Sequence, residues 1–250
     1  MKKGYTHWGI IIDRSGSMGL IKSAIIEGFN KSIEDQKTES GELTVSLVQF
    51  DSGYENGSPF GRSSILRYNQ INDFSLLNEV KLLNNENYTP DGGTPLNDAV
   101  ARFIEETGKR LAAMPEAHRP EKVIVTIMTD GEENTSKTHT AESVRRMIER
   151  QEKDYGWKFI YIGANQDAFQ EGNSRGIGST LNFSADEKGV RSAYISNSSV
   201  MKKMRSMDTQ AYASYSATTD MLNTYNDELK KDEKKGDMGF NNPGSPTTTK

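Results

Sequence analysis

The sequence contains no cysteine. That absence removes a disulfide framework, a thiol nucleophile and any cysteine-ligated zinc in one step, and it fits a cytoplasmic protein. Histidine is almost as scarce, with only His7, His118 and His139 in 250 residues, and no two of them form a close metal-binding pair. All three precede Gly172-Asn173-Ser174-Arg175-Gly176, the one segment with a Gly-x-Ser-x-Gly pattern. In a serine hydrolase of that type the histidine follows the serine and a strand runs into the elbow, so this chemistry is excluded. Basic charge is not in excess either: 31 Lys and Arg against 35 Asp and Glu leave a net charge of -4. A general nucleic-acid binder needs the opposite balance to displace counterions from phosphates. Long apolar runs are missing too. The stretch Ile10-Ile11-Ile12 meets Asp13 at once, far short of the ~20 apolar residues of a membrane span or the apolar core of an export signal.

What is present is an alternation of short apolar runs with longer helical patterns, the arrangement of a parallel sheet flanked by helices. Residues 8–12 read as a first buried strand. Apolar residues at Leu20, Ile21, Ala24, Ile25, Ile26, Phe29 and Ile33 repeat with the period of a helix over 19–36. Residues 43–50 alternate as a second strand, and 65–71 as a third, at the edge. A helix over 96–114 is expected to open on Thr94-Pro95, a hydroxyl N-cap followed by proline in the first turn. Residues 123–128 form the central strand. Then come a helix over 140–153, a strand over 158–162, a short helix and loop over 163–178, a small strand near 181–183 and a closing helix over 187–205. The expected domain therefore spans 1–205.

Beyond Ser206 the composition turns polar, and 206–250 is expected to be a flexible tail, partly helical around Leu222, Tyr225 and Leu229. Its end, 236–250, carries Asn242-Pro243-Gly244-Ser245-Pro246 and is expected to be disordered. Tyr212, Tyr215 and Tyr225 could dock this tail on the domain or on a partner, and the mixed-sign run Lys230 to Lys235 reads as a solvated surface.

Three segments carry candidate chemistry. The first strand ends in Asp13, and Asp13-Arg14-Ser15-Gly16-Ser17 places a carboxylate and two hydroxyls at alternate positions of a tight turn. Such oxygens suit a hard cation such as Mg²⁺. Taken alone, serine and aspartate at a helix start are ordinary caps. Gly92-Gly93-Thr94-Pro95-Leu96 sets another hydroxyl in a glycine-rich turn, and the central strand ends in Thr129-Asp130-Gly131. In an open α/β sheet, ligands bind outside the carboxyl ends of the strands where strand order reverses, so all three segments are expected at one edge.

In this combination and order the sequence resembles the von Willebrand factor A domain over about residues 5–200. The resemblance implies a doubly wound, mostly parallel sheet with helices on both faces, and an intact metal-ion-dependent adhesion site. Ser15, Ser17 and Thr94 would contact the metal directly. Asp13 and Asp130 would hold it mainly through waters or by direct exchange. A sixth position would stay open for an Asp or Glu of a protein partner. Mg²⁺ is the default ion, with Mn²⁺ and Ca²⁺ open. Glu132 and Glu133 either line the rim or face solvent. The resemblance is to free-standing members of bacterial or phage type, which would place a phage-encoded chain in the host cytoplasm.

The principal rival is a Mg²⁺-dependent nucleotide hydrolase with a degenerate P-loop, using Lys22-Ser23 and Asp130. Counted from Gly16, the loop needs a glycine where Ile21 stands, and Thr94 would have no role. A structural subunit of a larger assembly is the third reading. No complete catalytic constellation is found.

Overall fold

A computed structural model describes residues 1–54, 64–164 and 168–238. Six strands form one sheet: β1 (Lys2–Asp13), β2 (Glu42–Tyr54), β3 (Ser64–Leu76), β4 (Pro120–Thr129), β5 (Lys158–Ala164) and β6 (Ser179–Phe183). Their order is β3-β2-β1-β4-β5-β6. Only the β2–β3 pair is antiparallel, so β3 is the edge strand that the sequence suggests. The chain builds outward from β1 in one direction through β2 and in the other through β4. The carboxyl ends of β1 and β4 therefore flank the point where strand order reverses.

Alternation along β1 assigns its two faces. Trp8, Ile10 and Ile12 enter a core shared with Ile25, Phe29 and Ile33 of α1 (Lys22–Gln36) and Val190, Ala193 and Met201 of α5 (Glu187–Ser206). Ile11 points the other way, into a core with Leu96, Val100 and Phe103 of α2 (Leu96–Ala113) and Val144 and Ile148 of α3 (Ala141–Tyr155). The parallel strands are covered on both faces, which accounts for their near-continuous apolar character. Gly28 lets α1 and α5 approach closely: a Cβ there would lie 2.2 Å from the Tyr194 ring. A short α4 (Ala168–Ser174) precedes β6. Ser174 ends that helix with its hydroxyl donating to the Glu171 carbonyl, which agrees with the rejection of a serine nucleophile.

Helix ends differ from expectation in one informative place. At α3, Thr140 and Ser143 form a capping box, and Gly156 closes the helix in the left-handed conformation. At α2, by contrast, Thr94 does not cap. Pro95 holds the cap position with no side-chain hydrogen bond, and the free amides are satisfied from the loop after β4. Glu133 Oε2 accepts from Asn97 N at 2.7 Å and Ser136 Oγ from Asp98 N at 3.1 Å.

The carboxyl-terminal segment is also more integrated than a flexible tail. α6 (Thr209–Ser214) and α7 (Thr218–Met238) follow α5, and Tyr212, Ala217, Met221 and Tyr225 are buried in the α1–α5 core. Tyr212 donates to the Val123 carbonyl at 3.0 Å, and the Tyr225 hydroxyl accepts from Ser184 N at 3.1 Å. Those tyrosines dock the segment on the domain, so the packed unit extends past residue 205. Of the stretch expected to be disordered, 239–250 lies outside the described residues. Met221→Ala is expected to destabilise the protein by about 2–5 kcal/mol, as for other buried large-to-small changes. A urea midpoint unchanged by the substitution would show that α7 does not contribute to the core.

Candidate functional site

All five residues singled out in the sequence meet at the carboxyl edge of β1 and β4. Asp13 is the last residue of β1 and fully buried; Ser15 and Thr94 are 2% exposed, while Ser17 is open to solvent. The turn after β1 is a 3-10 helix (Gly16–Ile21) that runs directly into α1. Neither Ser15 nor any other side chain caps these helices. The bland reading of this motif, serines spent on helix amides, is therefore wrong for this chain.

The hydroxyls point instead at one another and at the carboxylates. Ser15 Oγ and Ser17 Oγ are 3.1 Å apart, and Ser17 donates to Asp130 Oδ1 at 2.6 Å. Ser15 N donates to Asp13 Oδ1 at 2.7 Å. Gly131 marks the centre of the convergence. A side-chain carbon there would sit 3.2 Å from Thr94 Oγ1, 3.8 Å from Ser17 Oγ and 4.0 Å from Asp13 Oδ2. Oxygens from the Asp13–Ser17 loop and the glycine-rich turn thus face one small volume beside Gly131, which a side chain there would crowd against Thr94.

Several residues that build this arrangement were not visible in the sequence pattern. Thr129 donates to Asp13 Oδ2 at 2.6 Å, and the buried Tyr88 donates to the Asp13 carbonyl at 2.8 Å. Asp51 is fully buried at the carboxyl end of β2, where it accepts from Arg14 Nε at 2.7 Å and Arg67 Nε at 2.5 Å. Arg67 also reaches Asp91 at 2.9 Å. This chain of alternating charges ties the Asp13 loop, β3 and the glycine-rich turn together. Backbone bonds add to it: Gly16 N donates to Gly92 O at 3.0 Å and Asp91 N to Arg14 O at 2.8 Å. Gly92 has a φ of +70°, and a Cβ there would lie 1.8 Å from the Ser52 carbonyl oxygen, so no other residue fits that contact. The signals available beforehand were Thr129 beside Asp130 at the end of the central strand and the acidic Asp51 after a cleanly alternating one.

The two acidic residues after Asp130 separate. Glu132 is exposed, whereas Glu133 is turned inward, where its carboxylate accepts from Asn97 N, Thr135 N and Ser136 N. Asn134 Oδ1 accepts from Thr94 N at 2.9 Å. Glu133 therefore takes the Asn97 amide that a capping Thr94 hydroxyl would otherwise accept, and Asn134 fixes the Thr94 backbone. The P-loop residues are occupied elsewhere: Ile21 is buried in the core and Lys22 donates to the Asn85 carbonyl. His7 is a structural residue, buried and stacked on Phe74 with its Nδ1 against Thr44 Oγ1, and burial lowers its pKa to about 3 with Arg110 adding to the effect.

The donor set fits a hard divalent cation. It offers two carboxylates and three hydroxyls, all oxygen, with a solvent-facing side. It is not an all-carboxylate cage: among the described residues, no cluster of three or more His, Cys, Asp or Glu side chains forms a metal site. Electrostatics point the same way. Burial pushes the Asp13 carboxyl up to about 7, and Asp130 nearby adds to the rise, against the hydrogen bonds from Thr129 and Ser15. Asp130 is raised by burial as well, with the Ser17 hydroxyl opposing. A dication would favour the charged form of both.

Without a cation, the folded protein holds the Asp13 proton more tightly than the unfolded chain does. That contribution to stability is complete below about pH 4 and is lost as pH rises through about 7. Wild-type protein in cation-free buffer is expected to lose stability relative to Asp13→Asn across that window in urea melts. Parallel pH profiles for the two proteins would show that Asp13 ionises freely.

No family model matches the sequence, and no curated protein does. Solved structures do match. A von Willebrand factor type A protein from Catenulispora acidiphila aligns with 15% identity and a TM-score of 0.50 over 80% of this chain. Proximal thread matrix protein 1 from the mussel byssus, described with a zinc-occupied metal-ion-dependent adhesion site, aligns with 13% identity and a TM-score of 0.51 over 80%. The pilus adhesin SpaC from Lactobacillus rhamnosus GG gives 13% identity and a TM-score of 0.51 over 81%. This chain spans 42%, 46% and 30% of those three proteins, respectively. With a six-stranded, mostly parallel sheet wound in both directions from β1 and covered by helices on both faces, its architecture is that of a von Willebrand factor A domain.

Proposed function

We propose that this chain is a binding module that grips an acidic residue of a protein partner through a divalent cation. The cation would be held by Ser15, Ser17 and Thr94 through their hydroxyls and by Asp13 and Asp130 through their carboxylates, directly or through water. One observation carries the reading. Three residues that sequence logic assigns to helix capping are released from that duty: Ser15 and Ser17 bond the carboxylates of Asp13 and Asp130, and the Thr94 hydroxyl faces Gly131 beside them. A fold that supplies substitute caps from Glu133 and Ser136 has kept Thr94 free for something else.

When bound, the cation would supply a Lewis-acidic centre on the solvent-facing side where Ser17 lies. Two carboxylates and three neutral hydroxyls leave that centre able to attract one more anion. Cation and partner carboxylate would then bind cooperatively, each raising the affinity of the other by the same factor. The site lies at the carboxyl edge of the sheet, with Ser17 open to solvent. Grooves of about 290 Å³ between α1 and α5 and about 620 Å³ between α2 and α3 include none of the five residues. A solvent-facing site at a sheet edge, outside both grooves, suits a protruding side chain of a macromolecule. The zinc-occupied site of the mussel protein and the adhesin role of SpaC support the reading by fold likeness.

Mg²⁺ is the ion we propose, on donor type, with Mn²⁺ and Ca²⁺ compatible with the same oxygens. The nucleotide-hydrolase alternative loses support from Ile21 and Lys22, both engaged in structural contacts. Isothermal titration of cation-free protein with Mg²⁺ and Mn²⁺ is expected to give one-site binding that Asp13→Ala and Thr94→Ala each weaken at least about ten-fold. Unchanged affinity in both variants would refute the assignment, and a partner complex insensitive to chelator would favour a purely structural role.

A further inference from the structure

We infer that Leu20 is a second contact point of this site, so that the module selects a carboxylate followed closely by a branched apolar side chain. The inference rests on the reading of the site given above and adds the chemistry of the partner segment.

Ser17 and Leu20 lie on the same 3-10 helix, Gly16–Ile21. In such a helix three residues complete a turn, so side chains at i and i+3 eclipse. Met18 and Ile21 form one eclipsed pair, and both enter the core at 0% and 2% exposure. Ser17 and Leu20 form another, and both face solvent, while the third pair, Gly16 and Gly19, carries no side chain. At ≈ 2.0 Å of rise per residue, they stand about 6 Å apart along the helix axis. Ser17 is bonded to Asp130, so the leucine is a fixed step from the site oxygens.

Leu20 is 92% exposed. The other large apolar residues exposed among the described residues range from 41% to 63%, each keeping a good part of its surface covered. A scattered surface leucine is ordinary by itself. This one gives nothing to folding, because Met18 and Ile21 already anchor the turn, and it shares its face with a proposed cation ligand. A residue that stabilises neither the core nor the helix end and stands beside the open position gains its surface burial only when a partner arrives. The partner class that fits is a protein segment whose Asp or Glu meets the cation while an apolar side chain about 6 Å away covers Leu20.

The full chain saturated with Mg²⁺ is titrated with acetate and with 4-methylpentanoate, followed by amide resonances. The second acid carries an isobutyl group at nearly the required separation. It is expected to bind about ten-fold more tightly than acetate, equivalent to about 1.4 kcal/mol, through apolar burial on Leu20. Leu20→Ser should remove that advantage while acetate and Mg²⁺ affinities stay unchanged, and Leu20→Met should keep it. Equal affinity of the two acids in the wild type, or an advantage that survives Leu20→Ser, would overturn the inference. So would a dimer that dissociates in Leu20→Ser with the selectivity intact, which would assign the leucine to contact between copies. If neither acid binds with Mg²⁺ or Mn²⁺ present, the cation-bridge reading itself fails, and this inference falls with it.

Discussion

The placement of the Asp13 carboxylate at the end of the central strand is the constraint around which the rest of the site is organised. A charged group is costly to bury unless it is paired or hydrogen-bonded. Here the Thr129 hydroxyl holds one oxygen and the Ser15 amide the other, while Tyr88 fastens the backbone carbonyl of the same residue. These three contacts come from β4, from the loop after β1 and from the segment between β3 and α2. The carboxylate can be seated only when the sheet is wound so that β1 and β4 are neighbours. Hydrogen bonds alone do not offset its burial, as the raised pKa indicates, and the cation proposed for this site would complete the compensation.

Around that seat the protein shifts hydrogen-bonding duties from one loop to another. Helix amides demand partners, and the nearest hydroxyls would normally provide them. Instead the loop after β4 folds back so that Glu133, Asn134 and Ser136 satisfy the start of α2 and the amide of Thr94. On the other flank the buried Asp51 anchors Arg14 and Arg67, and Arg67 holds Asp91. The loops that carry the proposed ligands are thereby held from outside that set. Such preorganisation matters because a site whose groups are already positioned does not spend binding energy on ordering them.

The same economy governs the turn that carries Ser17. One face of a six-residue 3-10 helix is given wholly to the core by Met18 and Ile21, and the opposite face is left to a hydroxyl and a bare leucine. Elsewhere, α6 and α7 close the apolar face of α5 through Tyr212, Met221 and Tyr225. The polar average composition of that segment masks an apolar stripe sufficient to dock it.

The sequence by itself determined the order and type of the elements, because apolar periodicity is a local property set by which face of a strand or helix is buried. The expected strands at 43–50 and 123–128 lie inside β2 and β4, and the helices at 96–114 and 140–153 agree with α2 and α3 to within two residues. It also determined the five oxygen-bearing residues, since their turns follow directly from strand ends and glycines. Only the tertiary structure decided what those oxygens do. Whether Thr94 caps a helix or faces a crevice depends on Glu133, 39 positions away, and Asp13 depends on Thr129, 116 positions away. The docking of 209–229 likewise depends on the face that α5 leaves uncovered. Such partnerships arise from the winding of the sheet, and a one-dimensional pattern carries no record of which distant hydroxyl or carboxylate will arrive beside a given residue.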